Sequence, residues 1–191
     1  MRKVAMDDIV GLATYEKIRQ DFRRRIIELK QKRRISLGDR LSLVFENRDT
    51  VIFQIQEMLR VENISDLDKI RREIATYNQL IPDSRELSAT LFLEIEDQTH
   101  LRDELVKFQG IEEAITLRIA AHQIQARFEP GRSKENKISA VHYIRFRFND
   151  QELEPFVSGT RTELVIDHRN YQATVVLQPE TQRSLVEDLT T

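Results

Sequence analysis

Along the chain, stretches of helical spacing give way to stretches of strict in–out alternation. Over residues 13–35, Tyr15, Ile18, Phe22, Ile26 and Leu29 recur at spacings of three and four, which lines one face of a helix. Thr14 stands where an N-cap is wanted, and Gly38 lies just beyond the end. Leu41, Leu43 and Phe45 then alternate with Ser42, Val44 and Glu46, the period of a strand. Helical spacing returns over 49–62, with Val51, Ile55, Met58 and Leu59 on one side and Asn47 or Asp49 as the cap. A further helix over 65–78, capped by Ser65, carries Leu67, Ile70, Ile74 and Tyr77. It stops ahead of Leu80-Ile81-Pro82, because the residue before a proline avoids the helical region.

The second half is richer in alternation. Residues 86–95 set Leu87, Ala89, Leu91, Leu93 and Ile95 against Ser88, Thr90, Phe92 and Glu94. A short helix over 99–109 ends at Gly110, and 112–128 reads as one long strand with Ile115, Leu117, Ile119 and Ala121 on one face. Glu129-Pro130-Gly131-Arg132-Ser133 is a turn signal, followed by a charged loop to Lys137. Residues 139–148 form a strand whose apolar face carries Ala140, His142, Ile144, Phe146 and Phe148. A short helix over Asp150 to Val157 precedes a hairpin, Leu164–Ile166 with Tyr171–Leu177, around Asp167-His168-Arg169-Asn170. Pro179 opens a last helix through Leu189. The pattern predicts one α+β domain over 1–191: a mostly antiparallel sheet of about five or six strands, packed with about five helices, behind an N-terminal basic helix.

Composition narrows the functions open to such a domain. With 40% apolar and 32% charged residues, the 191-residue chain falls in the globular class. Its 30 basic and 32 acidic residues leave a formal charge of −2, which supplies no general attraction to nucleic acid or to an anionic membrane. The distribution is uneven: the first forty residues hold 12 basic against 6 acidic, the remainder 18 against 26. The basic run Arg19, Arg23, Arg24, Arg25, Lys30, Lys32, Arg33, Arg34 suits a solvated helix face, or an acidic surface on another subunit. Tyr15 and Phe22 fall on the core stripe rather than among these cations, so nucleic acid is not an expected partner. Cysteine is absent, which removes disulfides, thiolate nucleophiles and thiolate-held zinc or iron–sulfur clusters. No apolar stretch reaches the length of a membrane span, and the start of the chain turns acidic at Asp7-Asp8 where a signal peptide would turn apolar. A cytoplasmic protein without membrane attachment is expected.

Two places can carry chemistry. Glu46, Asn47, Arg48 and Asp49 meet Gln56, Glu57 and Arg60 where a strand passes into a helix, and a helix N-terminus with an arginine beside it can hold an anion. Capping by Asn47 or Asp49 and pairing of arginines with glutamates explain the same residues. His142 points inward on its strand, where it is either a general base or ligand, or a hydrogen-bonded core residue. None of the four histidines has glutamate three residues before it, and His-Glu-x-x-His is absent, so neither a metal nor another cofactor is expected. Phosphate-loop, dinucleotide and serine-nucleophile signatures are also missing. Phe53 falls opposite the apolar side of its helix, among Gln56, Glu57 and Arg60, and asks for a second covering layer. That layer is either the first helix or a second chain in a homodimer or hetero-complex.

The segment Phe45-Glu46-Asn47-Arg48-Asp49-Thr50 with Gln54-Ile55-Gln56-Glu57-Met58-Leu59-Arg60 resembles a bacterial family classed only as a domain of unknown function. The resemblance continues through Tyr77-Asn78, Leu80-Ile81-Pro82, Glu86-Leu87-Ser88-Ala89-Thr90-Leu91 and Ser139-Ala140-Val141-His142-Tyr143, nearly the whole chain. Members of that family are often encoded near rubrerythrin-like and iron–sulfur oxidoreductase proteins, so the resemblance implies a place in a redox or oxidative-stress system. Two readings stand side by side. One is a non-catalytic accessory protein that docks on a protein partner. The other is an enzyme or small anion binder built around Arg48, Glu57 and His142.

Overall fold

The computed structural model describes residues 1–95, 99–129 and 139–190. The first helix, α1 (Leu12–Arg33), starts directly behind Gly11 and not at Thr14. It ends two residues before the predicted limit, because Arg34–Leu37 forms a strand, β1, that buries Ile35 and Leu37 and exposes Arg34 and Ser36. At Gly38 the backbone takes φ +71°, and a Cβ would stand 2.3 Å from the Tyr171 hydroxyl, so only glycine fits this turn. It leads into β2 (Leu41–Glu46).

Helix α2 (Arg48–Val61) is capped by Asn47, not Asp49: the Asn47 carboxamide accepts from the Thr50 N–H at 3.1 Å, and the Thr50 hydroxyl accepts from the Asn47 N–H at 3.0 Å. Helix α3 (Leu67–Tyr77) is capped by Asp66 rather than Ser65. One 3-10 turn, Asn78–Leu80, and β3 (Glu86–Leu93) follow. Helix α4 (Leu101–Val106) is shorter than its spacing suggested.

The stretch 112–128 is a hairpin and not one strand. Its parts are β4 (Ile115–Ile119) and β5 (His122–Gln125), followed by the short β6 (Arg127–Phe128). The turn is Ala120-Ala121, with Ala120 at φ +50° and Ala121 exposed instead of inward. Most of the predicted turn and charged loop over 129–137 lies outside the described residues. Strand β7 (Val141–Arg147), helix α5 (Asp150–Val157), strands β8 (Thr162–His168) and β9 (Tyr171–Val176), and helix α6 (Pro179–Thr190) fall where the pattern placed them.

The class is α+β, with six α-helices among the described residues. The strands among the described residues number nine rather than about five or six, and they make two antiparallel sheets, ordered β1-β2-β3-β7-β6 and β5-β4-β8-β9. The chain steps from one sheet to the other at Ala126, whose N–H donates to the Ile115 carbonyl at 2.9 Å. Each sheet has an apolar inner face, and the two faces close on each other. Leu43, Leu87, Leu91, Leu93, Ile144 and Phe146 of the first sheet share one core with Ile115, Leu117, Leu164 and Ile166 of the second. The outer face of the first sheet is covered too, so all six residues of β2 are buried. A second core of Val4, Val51, Ile55, Leu59, Ile74, Leu80 and Ile81 forms there under α2 and α3. Helices α2 and α3, the first sheet and the second sheet therefore stack as three layers.

Arg33 ties the layers together. Its guanidinium, 1% exposed, pairs with Asp188 of α6, donates to the Phe45 and Glu46 carbonyls of β2, and reaches the Ser184 carbonyl and hydroxyl.

Candidate functional site

The structure divides the sequence-predicted cluster between the two faces of the first sheet. Glu46 ends β2 on the outer face, 3% exposed, and its carboxylate accepts from the neutral donors Thr50, Gln54 and Thr90. It thereby pins α2 to β3. Asn47 is spent as the α2 cap. Arg48 pairs with Asp8, and Asp49 is exposed. The buried Gln56 carboxamide is matched on both sides by Val10: its oxygen accepts from the Val10 N–H at 2.7 Å, and its nitrogen donates to the Val10 carbonyl at 3.2 Å.

Glu57 sits at the α1–α2 contact. Arg19 grips it in a two-point pair at 2.7 and 2.9 Å, the Tyr15 hydroxyl donates to it at 2.9 Å, and Arg60 adds longer bonds at 3.3 and 3.4 Å. Tyr15 is fully buried, and its hydroxyl is pushed up by that burial and by the Glu57 charge. His142 lies on the other side of the sheet. It is opposite Leu91 in the β3–β7 ladder, 2% exposed, with its ring edge-on to Phe128 at 5.5 Å. Arg48, Glu57 and His142 therefore share no cavity. Arg48 and Glu57 are consumed in ion pairs above the sheet, while His142 belongs to the core below it.

Phe53 receives part of its second layer from within the chain. Its ring packs edge-on against Phe22 of α1 at 5.6 Å, and Phe22 in turn meets Tyr15. Most of the basic run on and beyond α1 is answered internally as well. Arg19, Arg24, Lys32, Arg33 and Arg34 pair with Glu57, Asp21, Glu180, Asp188 and Glu94, and Arg25 lies over the Phe22 ring. Among the described residues no three histidine or acidic side chains converge in a way that could hold a metal, and no helix is long and apolar enough to cross a membrane.

These pairs make stability depend on acid. Arg19 holds the Glu57 carboxyl down to about 2, from an ordinary 4.5, with Tyr15 and Arg60 assisting. Arg48, with the Ala5 N–H, does the same for Asp8, from 3.8 to about 2. Both pKa values are depressed in the folded state, so the stability they confer is present above the unfolded values and disappears as the pH falls toward 2. Melting temperature measured from pH 7 down to pH 3 should fall below about pH 5, as the unfolded carboxyls begin to take up protons. The fall should be shallower in Arg19→Met and Arg48→Met. A slope unchanged by both substitutions would place the acid sensitivity in other carboxylates.

Surface clefts among the described residues lie elsewhere, and two of them are larger than the rest that are described. One, of about 630 Å³, opens between the end of α5, the end of β9 and α6. Phe156 and Leu177 form its buried floor and Val157, Val176, Pro179 and Val186 its walls, with Arg161 and Arg183 among its charged lining. Val157 and Val176 are 41% and 36% exposed, which makes this an apolar surface open to water. The other cleft, of about 590 Å³, runs between the α3–β3 connection and the β6–β7 edge, and is lined by Ser88, Arg127, Tyr143 and Arg145 among others. Nothing in the linear pattern assembled these residues, since Arg127 meets Arg145 only through the pairing of β6 with β7.

The model of the family described as "Protein of unknown function (DUF3501)" matches residues 3–189. The chain belongs to this family. It is also similar to a crystal structure of a protein of unknown function from Burkholderia pseudomallei K96243, with 33% identity and a TM-score of 0.92, over 98% of this chain and 100% of that one. No curated protein matches it. The family and its solved relative carry the α+β fold described above without naming an activity.

Proposed function

We propose that this DUF3501 member is a non-catalytic interaction protein, an accessory that docks on a partner protein. The observation that carries the reading is the fate of the candidate catalytic groups. Arg48 and Glu57 are neutralised by Asp8 and Arg19, and His142 is buried on the opposite face of the sheet. A catalytic trio needs a shared cavity in which its groups reach one substrate, and these three have none. The docking face is the apolar cleft between α5, β9 and α6. Exposed valines over a buried aromatic floor, edged by arginines, have the composition of an interface core and rim. The partner element is an amphipathic helix that sets apolar side chains against Val157, Val176 and Val186, and acidic ones against Arg161 and Arg183. The family resemblance supports a place in a redox or oxidative-stress system, and that is where such a partner is to be sought.

The test compares tagged wild type with Val176→Asp. Both are expressed in the native host, purified with their bound proteins, and the partner is then rebuilt from purified components. A stoichiometric protein that binds purified wild type, and binds Val176→Asp at least about tenfold more weakly, supports the reading. A partner bound equally by both variants, or none at all, overturns it. Light scattering checks self-association: a wild-type dimer that Val176→Asp makes monomeric assigns the face to a second copy instead. Phe53→Ser, measured alongside, is expected to leave partner binding unchanged, because its ring packs on Phe22 within the chain.

A further inference from the structure

Strand β9 is an edge that its sheet leaves unguarded. The Leu177 N–H donates to the Thr162 carbonyl at 2.9 Å, which fixes the phase of the β8–β9 ladder. Tyr171, Ala173 and Val175 then bond to β8, and the N–H and carbonyl groups of Gln172, Thr174 and Val176 point away from it. Among the described residues no strand stands beyond β9, and none of these three backbones has a hydrogen-bond partner. Sheets ordinarily protect such an edge with charge, proline, a bulge or a very short strand. The other edges of this fold are protected. Strand β1 has four residues and carries Arg34, β6 has two and carries Arg127, and helix α5 lies against β5. Strand β9 instead runs Tyr-Gln-Ala-Thr-Val-Val, rich in strand formers and without a charge, a proline or a glycine.

A second observation concerns the inward face. On β8, Leu164 and Ile166 are buried completely. Their ladder neighbours on β9, Val175 and Ala173, pack against the same core yet are only half-buried, because no further strand closes that side. Charge points to what would close it. The first charged residue met before β9 is Arg169, and the first met after it is Glu180. Both are exposed; Arg169 has no ion pair among the described residues, and Glu180 meets Lys32 only at the surface.

We propose that β9 pairs antiparallel with β9 of a second copy of this chain, about a two-fold axis at Thr174, so that two four-stranded sheets become one. This register opposes Thr174 to the partner's Thr174 and Gln172 to the partner's Val176. Each of the three free N–H groups and three free carbonyls in each copy then finds a partner, which a shift along the strand in either direction would not achieve. Such an interface must be compatible with itself, and β9 is, since no charge meets its like along the strand. The antiparallel direction also carries Arg169 of each copy toward the Glu180 end of the other. Ala173 and Val175 face each other across the axis on the inward side, and the pairing completes their burial. Thr174 is not among the residues that line the apolar cleft between α5, β9 and α6, so this edge holds or fails independently of the docking reading.

Sedimentation of the full-length protein from about 1 μM to about 1 mM tests it, in wild type, Thr174→Lys, Thr174→Glu and Thr174→Pro. Thr174 is exposed and its N–H serves no bond within the chain, so all three variants stay folded, as circular dichroism will verify. Wild type should pass from monomer to dimer within that range. Thr174→Lys and Thr174→Glu should each dimerise at least about fivefold more weakly, because the axis sets identical charges face to face. An equimolar mixture of the two should recover a dimer, since opposite charges then meet. Thr174→Pro, which removes a paired N–H from each copy, should stay monomeric. Val176→Asp sets its charge against the partner's uncharged Gln172 and should leave the dimer in place. A wild type that is monomeric throughout, a Thr174→Pro dimer as strong as wild type, or no recovery in the mixture overturns the proposal. A dimer that Val176→Asp dissolves and Thr174→Lys does not belongs to the cleft, and overturns pairing through β9 as well.

Discussion

Asp188→Ala is expected to destabilise the protein by about 3–5 kcal/mol, the loss that follows when one member of a buried ion pair is removed. The pair itself is not a large source of stability. Burial pushes the Asp188 carboxyl up while Arg33 pulls it down, so much of the attraction is spent on desolvation. Removing the carboxylate is a different matter, because Arg33 cannot follow it into water. Its guanidinium is held by the Phe45, Glu46 and Ser184 carbonyls and stays 99% buried with no counter-charge. Asp188→Asn, which keeps an acceptor for Arg33, should cost less than Asp188→Ala. Urea denaturation reads both as shifts of the midpoint at constant slope. A loss under about 1 kcal/mol for Asp188→Ala would mean that water reaches Arg33, and that α6 is not anchored through it.

The elements that the pattern located well are those whose periodicity and punctuation agree. Helix α5 lies where its spacing placed it, with Asn149 as a side-chain cap, and the β8–β9 hairpin encloses its expected turn. The elements missed are those where one signal masked another. Arg33-Arg34-Ile35 continues the helical spacing of α1, which masks the in–out order of Ile35 and Leu37 that β1 takes. The β4–β5 turn is Ala120-Ala121, and two alanines carry none of the glycine or asparagine that a two-residue hairpin usually needs at positive φ. The pattern does not separate two sheets from one, because alternation tells how many faces a strand buries, not which strand covers it.

The site was less legible than the fold for a related reason. Glu46, Asn47, Arg48 and Glu57 stand out in the sequence because helix starts concentrate polar residues, and capping and pairing absorb them. His142 reads correctly as inward, yet inward here means between the two sheets, away from α2. Phe53 reads correctly as needing cover, and the Phe22 that supplies part of it lies on the apolar stripe of α1. Ser88, Arg127 and Arg145 carry no local motif. They meet through two ladders, in which Arg145 pairs with Ser88 and with Arg127, residues far from it along the chain, and such a row is invisible until register is known.

Leu91→Ala should cost about 2–5 kcal/mol, and a comparison with its neighbour makes the prediction sharp. Leu91 sits mid-strand in β3, fully buried, between Leu43 of β2 and His142 of β7. Its side chain faces the second sheet in the inter-sheet core. Truncation therefore removes the transfer energy of the lost atoms and also leaves a cavity that two hydrogen-bonded sheets can close only in part. Phe92, one residue on, points to the outer face beyond the helices, half-buried beneath the Arg34 guanidinium at 5.5 Å. Although phenylalanine is the larger side chain, Phe92→Ala should cost less than half as much, since water already reaches that position. Urea midpoints of the two variants decide the matter. Equal losses, or a Leu91→Ala loss below about 1 kcal/mol, would mean that the two sheets do not pack through this face of β3.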